Sequence, residues 1–153
     1  MEKRKAFETF EFNTSFNRNL FFLKWKGYEL KTEFTYFPFT QIEKPKVLNN
    51  LKIDSSFDIA VNKLFTIYQN PRSRDYIDLF MLCEKYGYQI HDLLLNAKVK
   101  FDWHVDPIKL GSQFRLATKL KDYPILLEKI DKTVWQNFFI KEAKNLEKEI
   151  FKK

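Results

Sequence analysis

Hydrophobic periodicity changes once along this chain, and that change restricts the fold more than any other feature. Up to about residue 39 the apolar residues come in short alternating or aromatic runs, and beyond about residue 54 they recur at helical spacing. A repeat of two belongs to strands and a repeat near 3.6 to helices. The chain is therefore expected to be α+β, a small antiparallel β-sheet followed by a helical bundle of about five helices. The expected division is 1–50 for the sheet and 51–153 for the bundle, packed together as one unit.

The strand signals begin with Thr9-Phe10-Glu11-Phe12. Leu20–Trp25 follows, then Lys26-Gly27 as a turn and Tyr28–Phe37 as a third run, ended by Pro38. Proline has no amide to donate to a ladder, so the strand stops there. In the third run Phe34 and Tyr36 share one face while Lys31, Glu33 and Thr35 share the other. A linker with Pro45, Asn49 and Asn50 leads to the helices. Ser55-x-x-Asp58 resembles a capping box, and Phe57, Ala60, Val61, Leu64, Phe65 and Tyr68 form an apolar stripe. Asn70-Pro71, or alternatively Ser73, opens a second helix with Tyr76, Leu79, Phe80, Cys83 and Tyr86 inward and Gly87 as its stop. Ile90–Lys100 is a third helix and Asp106-Pro107 starts a fourth. Asp131 caps a long last one with Val134, Trp135, Phe138, Ala143, Leu146 and Ile150 on one side.

Composition excludes several functions. Three glycines cannot build a Gly-rich phosphate loop or a dinucleotide fingerprint. One cysteine rules out a disulfide framework and a Cys-based zinc site. No run approaches the ~18 apolar residues of a membrane span. The charged start, Met1 to Phe7, leads into no apolar h-region, so it does not read as a signal peptide. With a single thiol, the expected compartment is the cytoplasm. The 27 Lys and Arg exceed the 20 Asp and Glu, and the formal charge of +7 favours an anionic partner or reflects a lysine-rich surface.

Polar chemistry is densest at Arg72-Ser73-Arg74-Asp75-Tyr76-Ile77-Asp78. Asp75 and Asp78 fall on one helical face within a turn. Arg72 and Arg74 stand at a helix N-terminus, where the dipole and two guanidinium groups attract phosphate. Ordinary helix-start chemistry accounts for the same residues as a local Arg–Asp brace. Lys63, flanked by Ile59 and Ile67, either snorkels along an apolar face or points into a cleft with the helix that carries Asp75. Glu33 alone reads as a solvated strand carboxylate. The run Asp102-Trp103-His104-Val105-Asp106 has metal-binding residue types, but consecutive side chains diverge. Cys83 fits a core thiol, and the strand aromatics fit packing better than base stacking.

Taken in order, Asp58-Ile59-Ala60-Val61-Asn62-Lys63-Leu64 and Arg74-Asp75-Tyr76-Ile77-Asp78-Leu79 resemble the paired signature of the AbiEii/AbiGii family of nucleotidyltransferase-like toxins. That family carries D-I-A-x-x-K-L on one helix and R-D-[FY]-x-D-L opening the next. Lys31-Thr32-Glu33-Phe34 with Pro38 is similar to its K-[VI]-D-[FL]…P strand. The resemblance is good over about residues 20–100 and implies a nucleotidyltransferase fold within bacterial toxin–antitoxin or phage-defence systems. It implies transfer of a nucleotide from an NTP to an RNA acceptor such as tRNA, with Mg²⁺ as cofactor and a cognate antitoxin as partner. Carried over, Lys63 and Asp75 are the catalytic residues, Arg74 and Arg72 contact phosphate, Glu33 is a metal carboxylate and Asp78 supports Asp75.

The family's Gly-Ser pair and metal-binding Asp belong upstream of the Glu33 strand. Here the one Gly-Ser, Gly111-Ser112 with Asp122 ten residues on, lies downstream within an expected helix. The chain is thus expected to be an N-terminally truncated member lacking that motif. Its sheet would be the remnant of the nucleotidyltransferase sheet, and turnover is in question. The alternative expectation is a catalytically dead module that binds nucleotide, RNA or antitoxin.

Overall fold

In a computed structural model of the chain, residues 7–126 and 129–151 are described, apart from the side chain of Glu149. The charged start at residues 1–6 lies outside the described residues. Two compact units divide between Phe39 and Thr40.

The first unit is a three-stranded antiparallel sheet of β1 (Thr9–Ser15), β2 (Arg18–Trp25) and β3 (Tyr28–Thr35), in that order. Lys26 and Gly27 join β2 to β3 with φ of 48° and 78°. Positive φ at both central residues matches the right-handed twist of the flanking strands. Register pairs Phe12 with Phe21 and Phe21 with Thr32 across the three strands. The Phe12 and Phe21 rings lie 4.8 Å apart and the Phe34 ring meets Phe21 edge-on at 5.8 Å.

The second unit opens with a hairpin of β4 (Lys46–Leu48) and β5 (Leu51–Ile53). The expected linker is therefore partly ordered. Asn49 and Asn50 take φ of 47° and 66°, and asparagine tolerates that left-handed region better than most residues. Five helices follow: α1 (Ser56–Gln69), α2 (Ser73–Tyr86), α3 (Ile90–Phe101), α4 (Pro107–Arg115) and α5 (Lys132–Phe151). Helix α1 starts where its cap directs, with the Ser55 hydroxyl accepting from the Asp58 amide at 3.0 Å. Asp106 does the same for α4 by accepting from Ile108, with Pro107 as the first helical residue. Gly87 ends α2 at φ 73°, its amide donating to the Cys83 carbonyl.

The core is helical. Val61, Leu64 and Ile67 from α1 are buried with Tyr76 and Leu79 from α2, Leu93 from α3, Phe114 from α4, and Trp135 and Phe139 from α5. Two expected stripes turn slightly. On α5 the inward row is Trp135, Phe139, Ala143 and Leu146, while Val134 is half exposed. On α2, Ile77 is buried and Tyr86 is exposed, stacking on Tyr88 at 5.4 Å. Asp102 closes α3 at φ 46° and Asp106 caps α4, so both carboxylates of the Asp102–Asp106 run mark helix boundaries.

Candidate functional site

Lys63 leaves α1 one turn after the buried Asp58 and reaches α2. Its Nζ donates to Asp75 Oδ1 at 3.0 Å and pairs with Asp78 Oδ2 at 2.6 Å. The spacing of Asp75 and Asp78, one turn apart, lets both carboxylates face one ammonium. Of the two placements open to Lys63, the structure takes the one toward α2. Asp75 is almost fully buried at 1% exposure, whereas Lys63 and Asp78 are progressively more open. A buried carboxylate needs partners for both oxygens. Asp75 Oδ2 accepts from the Arg72 backbone amide and from Arg72 Nε, each at 3.3 Å. This places the carboxylate in the first turn of α2, where the positive end of the helix favours it.

The start of α2 differs from either expected cap. Arg72 is the flanking residue and Ser73 the first helical one, with Pro71 left outside. Asp122 also holds this start. The Ser73 hydroxyl donates to Asp122 Oδ1 at 2.7 Å and the Ser73 amide to the same carboxylate at 3.1 and 3.3 Å. The Ser73 hydroxyl bond, aided by the Ser73 amide and the Arg72 charge, outweighs slight desolvation and holds the Asp122 carboxyl below its ordinary value. Sequence reasoning gave Asp122 no role, because its partner lies 49 residues away. The amide attraction expected for phosphate at this terminus is thus partly taken by a carboxylate of the chain itself.

Arg74 is exposed on the first turn of α2 and takes no part in holding Asp75. The structure therefore brings Lys63, Asp75, Asp78 and Arg72 together, with Arg74 on the adjoining surface. The four clustered charges cancel, and Arg74 is offset by the Asp122 carboxylate at the same helix start.

Asp58 anchors the same helix. Its carboxylate is fully buried against Lys100 at 2.6 Å and accepts from the Ile42 and Glu43 amides at 2.9 and 3.0 Å. Burial opposes its ionisation. The Lys100 hydrogen bond and the two amides together outweigh that cost and lower its pKa from 3.8. The capping-box spacing located the helix start but not this long-range partner.

Glu33 belongs to the sheet unit. Arg18 engages both of its carboxylate oxygens, Nε to Oε1 at 2.7 Å and the terminal nitrogen to Oε2 at 2.9 Å, and Thr35 donates to Oε1 at 3.1 Å. The Arg18 hydrogen bond, acting against slight desolvation, holds this carboxyl below its ordinary value. Among the described residues no group of three or more His, Cys, Asp or Glu converges. With both Glu33 oxygens committed to a guanidinium and a hydroxyl, these donors do not form a Mg²⁺ centre.

Comparison with known proteins gives one finding. The family model described as "Nucleotidyl transferase AbiEii toxin, Type IV TA system" matches residues 29–149. That span contains Glu33, Lys63, Asp75 and all five helices except the last residues of α5. No curated protein and no solved structure matches the chain.

Proposed function

The chain belongs to the AbiEii nucleotidyl transferase toxin family of type IV toxin–antitoxin systems, and from that membership we propose that the Lys63 cluster is its nucleotide-handling site. The ancestral activity is transfer of a nucleotide from an NTP to an RNA acceptor, tRNA being one candidate. The setting is bacterial toxin–antitoxin or phage defence in the cytoplasm, beside a cognate antitoxin. Among the described residues no helix is long and apolar enough to cross a membrane.

The observation that carries this reading is the Lys63–Asp75 pair bridging α1 and α2. Asp75 is held from the far side by Arg72, so it fixes the direction of the Lys63 ammonium. Asp78 is half exposed and is the partner that a phosphate oxygen can replace at least cost. In this reading Lys63 and Arg74 contact the phosphates, Arg72 joins them from its exposed side, Asp75 positions Lys63 and Asp78 supports it. Glu33 remains the family's metal carboxylate only if Arg18 releases it.

The Arg18–Glu33 pair favours a second reading, in which the chain retains nucleotide or RNA binding without transfer. One assay separates the two. Purified chain is given labelled NTPs, Mg²⁺ and total RNA, with Lys63→Ala and Asp75→Asn in parallel. Label transfer abolished by either variant supports the enzyme. Salt-sensitive binding of RNA or NTP with no transfer supports the module. Transfer or binding unaffected by both variants contradicts the assignment of this site.

A further inference from the structure

The sheet unit segregates its charges completely. Alternation along the strands and the observed register put Glu11, Arg18, Lys24, Glu29, Lys31 and Glu33 on one face. The opposite face carries no charged residue in any of the three strands. It presents Phe10, Phe12, Trp25, Tyr28, Leu30 and Phe34, each 49–75% exposed. A sheet must bury an apolar face against another layer, and exposed apolar patches of several hundred Å² mark interaction surfaces.

We propose that this face is the contact between two copies of the chain, stacked sheet on sheet. Two observations select a second copy. The face is uncharged, so apposing it with itself across a two-fold axis brings no like charges together, and it offers nothing to a phosphate backbone. Its area also fits. Five aromatics of roughly 150–250 Å² each, half to three-quarters exposed, together with Leu30, give on the order of 700 Å² per copy, close to the ~800 Å² per partner of a standard interface. Aromatic side chains are also the residues enriched at such contacts. Aligned packing would interleave the two aromatic faces across about 10 Å.

Sedimentation velocity on the full chain across a micromolar concentration series tests this. The expected result is a reversible dimer. Tyr28→Lys adds one charge to a 75% exposed position beside the turn and should weaken the dimer about tenfold or more. Phe12→Thr with Phe34→Thr should do the same while keeping residues that favour strands. Glu11→Thr with Lys31→Thr, on the charged face, should leave the dimer intact. Helical circular dichroism checks that each variant retains its folded bundle. A chain that stays monomeric throughout overturns the proposal, whether the face then takes RNA or another protein. So does a dimer that survives both face variants with folded protein.

Discussion

Asp58 and Lys63 sit five residues apart on α1 and show how far single residues can be read. Both partners of Lys63 lie on the next helix at a spacing visible in the sequence. Asp58 instead meets Lys100 on α3 and two amides before β4, and nothing local announces those contacts. Removing its charge deprives the buried Lys100 ammonium of its Asp58 partner, so Asp58→Asn should cost about 3–5 kcal/mol in urea unfolding. The pH dependence has a definite sign. The folded carboxyl titrates below its ordinary 3.8, so its stabilisation is complete above that value and is lost as pH falls through the lowered folded value. Asp58→Asn should flatten this acid limb, and an unchanged limb would show that another group sets it. Cys83 behaves as the inward stripe implied. Burial, reinforced by the Glu142 and Glu84 charges, pushes its thiol up to about 12, so it should resist alkylation at neutral pH in native protein and react once unfolded.

At the scale of elements, the first three strands, the five helices and most caps were legible because their signals are local. Most of the misses come from partners distant in sequence. At the start of α2 the Asp122 carboxylate, 49 residues away, accepts from the Ser73 hydroxyl and amide. Asp122→Ala should accelerate hydrogen exchange at the Ser73 amide without disturbing the Lys63–Asp75 pair, and NMR exchange rates would report both. The α5 stripe rotates toward Phe139, whose ring packs at 4.9 Å on Tyr76, a choice that packing makes and helical spacing leaves open. The β4–β5 turn was readable in principle from Asn49-Asn50, since two adjacent residues that tolerate positive φ suit a two-residue hairpin. Gly87 ends α2 at positive φ with open space around it. Gly87→Ala should therefore cost about 1 kcal/mol from backbone strain alone, measurable as a lowered unfolding midpoint.

For the whole molecule, the change of periodicity correctly separated sheet from helices, while the compact units divide at Phe39 and Thr40. The apolar face of the sheet was visible as Phe34 and Tyr36 alternating with Lys31, Glu33 and Thr35. Its complete lack of charge emerged only with the register of all three strands. The surplus of +7 does not concentrate at the proposed site. With Asp122 counted, Lys63, Arg72 and Arg74 balance Asp75, Asp78 and Asp122, so the surplus lies elsewhere on the chain. The most direct test is equilibrium binding of an NTP to the full chain and to Lys63→Ala, with the unfolding midpoint measured on the same samples. The account predicts at least about a tenfold loss of affinity, or 1.4 kcal/mol, in a variant that still folds. Equal affinity in the two folded proteins would contradict it.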